Sequence, residues 1–225
     1  LTGFIYPIEA SWQWGAGWLS EIGFSDFAGS TLVHAAGGFA ALAGALILGP
    51  RIGKYKDGRT IPMQGSNLPL ATLGTFILWQ IMYRKVDLTM VLNGALAGLV
   101  SITAGPLDPT LFGALWIGAM GGVIVVFAVP FLDKLKIDDV VGAIPVHLIA
   151  GFWGTLVVPV YTEGTSFVTQ IIGFVSIGAF VFIVSAIVWA VLKATMGIRV
   201  SEEAEIAGLD VSELGMEAYP EFSKS

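Results

Sequence analysis

Five stretches of this chain run for about 20 residues or more, enough to cross a bilayer, without one Asp, Glu, Lys or Arg. They are Phe27 to Pro50, Leu88 to Leu107, Pro109 to Leu132, Val140 to Thr162 and Gly164 to Leu192. Histidine is the only titratable side chain in any of them apart from tyrosine. Such runs predict an all-α integral membrane protein, a polytopic helical bundle. Composition agrees. Only 12% of residues are charged and 55% are hydrophobic, whereas a soluble domain is about a quarter charged. The 29 glycines follow no collagen-like period and suit helices that pack closely in lipid.

Other classes drop out on the same residues. The chain has no cysteine, which removes disulfides, thiolate metal sites and cysteine nucleophiles. Of the net charge of −6, −5 lies in Arg199 to Ser225, with seven acidic and two basic residues. No basic patch favours nucleic acid. No Ser-His-Asp set, phosphate loop or paired carboxylates lie within the spans, which argues against an enzyme. Leu1 to Ile8 has no basic start of a signal peptide; the chain opens in an apolar stretch, as if cut from something longer.

A shorter apolar run, Leu68 to Tyr83, follows a polar loop, and Leu1 to Trp18 reads as the end of another helix, interrupted by Glu9. Lys and Arg in short loops set orientation. Arg51, Lys54, Lys56 and Arg59 mark one cytoplasmic loop and Arg84–Lys85 a second. The loop Asp133–Asp139 and the tail fall on the same side. Two inside loops then flank the single short run Leu68–Tyr83. Either that run is re-entrant, or a stretch near 79–84 is missing; the missing stretch is the favoured expectation. The organisation expected is a transmembrane bundle over 1–198, incomplete near 79–84, and a cytoplasmic C-terminal region over 199–225.

The histidines lie in an internal repeat. Asp26-Phe27-Ala28-Gly29-Ser30-Thr31-Leu32-Val33-His34 leads to Gly38-Phe39, and Asp139-Val140-Val141-Gly142-Ala143-Ile144-Pro145-Val146-His147 leads to Gly151-Phe152. Both read D-x-x-G-x-x-x-V-H-x-x-x-G-F. By the loop charges the copies run in opposite directions, the mark of an inverted-topology repeat with its site near the midplane. Each histidine is the eighth residue of its run, about 12 Å deep at the helical rise. Measured from opposite faces of a core of about 30 Å, the two reach similar depths. A single membrane histidine is often only a bridge between helices. Two at one repeat position, with no other histidine in the chain, point instead to a neutral pair sharing a hydrogen bond and lining a dry path that strips or relays a proton. No Asp, Glu or Cys lies at that depth, so neither a metal nor another cofactor is expected.

At these residues the sequence resembles the ammonium transporter family (Amt, with its Mep and Rh relatives), on the Amt branch. Asp26-Phe27-Ala28-Gly29…Val33-His34 is similar to the family signature leading into its fifth span. Val146-His147…Gly151-Phe152-Trp153-Gly154 is similar to the second half of the twin-histidine motif. Leu92-Asn93-Gly94-Ala95-Leu96-Ala97-Gly98-Leu99-Val100 resembles the eighth span, and Glu202…Gly208-Leu209-Asp210…Gly215…Ala218-Tyr219-Pro220 the C-terminal region. The resemblance implies an eleven-span fold with the first spans absent here, in a homotrimer within the cell membrane, with one pore per subunit. It implies His34 and His147 as the pore pair. It implies Trp14 at an outer vestibule, where an indole face attracts NH4+, unless Trp14 is an interfacial aromatic as Trp12 and Trp18 are expected to be. It implies Asp26 below the vestibule, a position equally suited to a helix cap. It further implies ammonium as substrate and a PII-type signalling protein as a partner of the tail.

The departures matter. The first of the family's two stacked gate phenylalanines belongs to the absent spans. Gln80-Ile81-Met82-Tyr83 follows Leu78-Trp79 where the family has an aromatic Gly-Phe-Asn segment, so the second gate phenylalanine and a vestibule serine are also missing. The expected function is ammonium or ammonia transport, with ammonium deprotonated before passage. A sensor that binds without conducting is the alternative, and a truncated protein with a structural role a weaker third.

Overall fold

Each charge-free run becomes a helix. The structure, a computed structural model, describes residues 1–56, 59–60, 73–84 and 87–216. Among the described residues, three helices are long and apolar enough to cross a membrane: α3 (Ser30–Leu48), α6 (Leu111–Lys134) and α8 (Phe167–Thr195). Two shorter apolar helices, α5 (Leu88–Ile102) and α7 (Ile144–Val160), complete the set read from sequence. A two-residue antiparallel ladder, β1 (Tyr55–Lys56) with β2 (Arg59–Thr60), is the one departure from helix among the described elements.

The helix starts are local chemistry. In hydrocarbon no water satisfies the first N–H groups of a helix, so capping side chains stand there. Asp87 accepts from the Met90 N–H at 3.0 Å before α5, and Thr110 from Gly113 at 3.1 Å before α6. Ser166 and Thr169 form a reciprocal capping box at the start of α8.

The chain's beginning differs from expectation. The helix α1 (Ile5–Ser11) runs through Glu9 and buries it. Glutamate is a good helix former, so it does not interrupt the helix. The break comes after Ser11, where Gly15 and Gly17 each lie so close to the Ser11 carbonyl that a Cβ would sit 2.7 Å from it. A short helix α2 (Trp18–Glu21) follows.

The run Leu68–Tyr83 yields α4 (Leu73–Tyr83); residues 68–72 lie outside the described residues. The 11 described residues of α4 rise about 16 Å. It ends where Arg84 turns left-handed at φ 52°, a few residues before Asp87 starts α5. Leu78 and Trp79 pack on the core that α5, α6 and α7 share.

Small residues set the helix spacing, as expected in lipid. Between α5 and α6 the backbones approach at Gly98 and Gly118, where a Cβ on Gly98 would lie 3.2 Å from the Gly118 carbonyl oxygen. Between α3 and α8, Gly178 receives the Phe39 ring, and Trp189 packs over Gly44. After α8 come α9 (Glu202–Ala207) and α10 (Leu209–Leu214), neither with a buried residue.

Candidate functional site

The two copies of the repeat fold alike. Asp26 accepts four backbone N–H groups: Gly29 and Ser30 on one oxygen, Thr31 and Leu32 on the other, at 2.7–2.9 Å. Asp139 accepts two in the equivalent places, Ala143 at 3.0 Å and Ile144 at 2.7 Å. The repeat glycine turns left-handed in both, Gly29 at φ 100° and Gly142 at φ 77°, which a residue with a Cβ adopts only under strain. Both histidines then lie on a wide π-helical turn, Ser30–Ala35 in α3 and Ile144–Ile149 in α7; such turns are frequent at functional sites.

The copies cross as an inverted pair. The first part of α3 packs on the later part of α7, and the later part of α3 on the first part of α7. The repeat glycines make the crossing. A Cβ on Gly38 would lie 2.7 Å from the Leu148 backbone nitrogen, and one on Gly151 would meet the Ser30 carbonyl at 2.5 Å and then Ala35. In each copy the glycine four residues after the histidine faces the residue just after the other histidine. Phe39 and Phe152, next in the motif, both pack on Phe174 of α8, with ring centres at 5.3 and 4.5 Å.

The crossing brings His34 and His147 together. Their Nδ1 atoms are 3.2 Å apart and their rings are parallel to within 13°. Both rings are half-buried. Two Nδ1 atoms at that distance share one proton, so the rings carry opposite tautomers. One Nε2 is then an N–H donor and the other an acceptor. Thr31 and Thr155 also bridge the crossing through their hydroxyls at 2.5 Å.

Trp14 and Asp26 meet through the backbone. The Trp14 indole N–H donates to the Asp26 carbonyl oxygen at 2.8 Å, and the ring stays 42% exposed. The Asp26 carboxylate is 0% exposed and fully occupied by N–H groups, so it acts as a helix cap.

Sequence reading passed over Gln170. It is 1% exposed, accepts from the Ser25 N–H at 2.8 Å, and donates to the Ser25 carbonyl at 2.7 Å and the Thr155 carbonyl at 3.0 Å. One amide thus ties α8 to the start of one repeat copy and the end of the other. Its signal was visible, since it is the one amide side chain in the run Gly164–Leu192, and polar groups inside membrane spans seek partners.

A cavity of about 230 Å³ opens beside His147, lined by Leu92, Asn93, Leu96, Val146 and others. A second, of about 220 Å³, shares Thr89, Asn93, Val141 and Gly142 with it and continues to Asp87, Asp133 and Asp139. Among the described residues no three metal-ligating side chains converge.

The sequence model of the Ammonium Transporter Family matches residues 1–84 and 80–219. The chain belongs to the Ammonium Transporter Family. A putative ammonium transporter of Synechocystis, sll1017, is 34% identical over 96% of this chain and 60% of its own length. Ammonium transporter Amt2 of Archaeoglobus fulgidus is 34% identical over 99% of this chain and 63% of its own. A solved structure described as a Sensor Amt Protein superposes with a TM-score of 0.87 at 30% identity, covering 93% of this chain and 67% of that one. The chain thus spans less than two thirds of those two transporters. The Synechocystis alignment is 264 residues long, longer than the 225-residue chain, so that relative carries family residues with no counterpart here. The two matched segments of the family sequence overlap at residues 80–84.

Proposed function

We propose that the protein of which this chain is at least a part carries ammonium nitrogen across a membrane, passing it as ammonia along the His34–His147 pair. The juxtaposition of those two imidazoles, 3.2 Å apart at Nδ1, carries the reading. A shared proton leaves one donor and one acceptor Nε2 along the path. Ammonia can both accept from the donor and donate to the acceptor; potassium can do neither, and a desolvated path without charge compensation excludes it. On this reading NH4+ gathers at the exposed Trp14 face by cation–π attraction and leaves its proton before passing. The cavities from His147 toward Asp87 and Asp139 then form the way out.

The basic loop Arg51–Thr60 and the tail lie on the cytoplasmic side by the positive-inside rule, the subunits form a homotrimer, and the tail meets a PII-type protein. That relatives are known as ammonium transporters supports the substrate. The match to a sensor of the family favours one rival, a protein that binds ammonium without conducting.

The test is ammonium-evoked current and ammonia flux in proteoliposomes of the natural gene product, beside the His34→Ala, His147→Ala double variant. Flux that is lost, or that no longer prefers ammonium over potassium, in the double variant supports the reading. Ammonium binding by the natural protein without current or flux supports the sensor.

A further inference from the structure

Glu9 is 0% exposed, and no donor among the described residues reaches either of its carboxylate oxygens. The Gln13 amide oxygen, in the turn after α1, is also buried with no donor among the described residues. Three acceptors with no donor are costly in a dry interior, where an unmet polar group loses its solvation without return. A single proton taken up by the Glu9 carboxylate resolves the mismatch, because it removes the charge and makes one oxygen a donor.

Among the described residues the surroundings offer few other titratable groups. The helix α1 packs on the start of α3 and on α8. From Phe167 to Leu192, α8 has no titratable side chain. The α3 side contributes Asp26, whose charge acts on Glu9, and His34; Tyr6 lies on α1 itself. Asp26 is held by four N–H groups, so protonating it would break bonds that cap α3. Glu9 has none to lose. It sits on the helix that leads into Trp14, whose indole is bonded to the Asp26 carbonyl.

We propose that Glu9, not Asp26, is the proton-accepting carboxyl of this site. The inference rests on the transport reading above. An N–H bond of ammonium breaks with its electron pair remaining on nitrogen, and the proton bonds to a Glu9 oxygen, so that NH4+ and a carboxylate become NH3 and a carboxylic acid. The acid then releases the proton to solvent before the next ammonium arrives.

The experiment compares the natural gene product with Glu9→Gln and Glu9→Asp in proteoliposomes, using ammonium chloride from pH 5 to 8. Infrared difference spectra of the same proteins are recorded on ammonium against potassium addition. The expected results are a rate in the natural protein that falls on the acid side, at least tenfold less flux without that fall in Glu9→Gln, and the fall kept in Glu9→Asp. Ammonium should raise a protonated-carboxyl band in the natural protein that moves in Glu9→Asp. The band needs no Glu9→Gln protein, so the inference stays open to refutation if that variant does not fold. A Glu9→Gln protein with the natural rate and pH profile, or a natural protein that transports with no carboxyl band, overturns the Glu9 assignment alone. A natural protein that passes no ammonia overturns the transport reading and Glu9 with it.

Discussion

Asp26 and Asp139 hold the same position in the repeat but carry different shares of the structure. Asp26 accepts four N–H groups in full burial; Asp139 accepts two while partly exposed. Asparagine keeps one acceptor oxygen and turns an NH2 toward the rest. Asp26→Asn therefore strands two buried donors, at about 1–3 kcal/mol each, and Asp139→Asn strands one that water can reach, for about 1 kcal/mol. Unfolding in detergent should rank the variants in that order; equal losses would contradict the cap assigned to Asp26. At this scale the sequence was explicit about the histidines, because nothing else in the chain shares their pattern. It left Asp26 open between cap and cation ligand, since both roles use the same carboxylate at the same spacing. The four N–H contacts show the cap.

The helices α3 and α7, each with a π turn at its histidine, are the elements that make the site. Their pairing was legible in D-x-x-G-x-x-x-V-H-x-x-x-G-F because each fixed residue meets one physical demand. The aspartate caps, the first glycine turns, the second lets the backbones cross, and the phenylalanine packs on Phe174. The wide turns at the histidines were not legible, since a π turn leaves no compositional trace. Gln170 and Glu9 were missed or misread for another reason: a lone polar residue shows its role only through what lies across from it. The crossing gives a prediction. Gly151→Ala would place a methyl 2.5 Å from the Ser30 carbonyl, which only a shift of α3 against α7 relieves. The expected cost is about 1–3 kcal/mol, with the Nδ1–Nδ1 distance lengthened beyond 3.2 Å. Gly37→Ala, on the same helix as the facing Gly38 but with open space at its Cβ, should be nearly silent. Melting curves and a structure of each variant check the contrast. A silent Gly151→Ala would mean that the helices do not set the imidazole spacing.

Across the whole molecule, one polar network joins segments far apart in sequence. Arg51 bonds Asp138 through its backbone N–H and two side-chain nitrogens at 2.8–2.9 Å, with Lys54 at 4.0 Å. Glu205 of α9 accepts from the Ile52 N–H at 2.7 Å and from Arg199. Arg199 also donates to the Pro50 carbonyl at 2.8 Å. The start of the tail therefore docks on its own chain at the end of α3, through a loop that also holds the segment leading to Asp139 and α7. Burial alone would raise the Asp138 carboxyl, but hydrogen bonds from Arg51, then the Arg51 and Lys54 charges, hold it below its usual 3.8. Nearby, burial and the Asp133 and Asp138 charges push the Tyr55 hydroxyl up to about 12. A depressed carboxyl stabilises the fold fully above its unfolded value of 3.8 and loses that contribution as pH falls through the lower folded value. Asp138 is 4% exposed but Arg51 is 32% exposed, so water screens part of the pair, leaving about 1–2 kcal/mol. Asp138→Asn should lose that amount at pH 7 and show less further loss than the natural protein as pH drops below 4. If thermal unfolding in detergent follows the same acid curve with and without the carboxylate, Asp138 does not hold the tail-bearing loop to the segment leading into α7. The segment before Asp139 would then have to be fixed by its own cap alone.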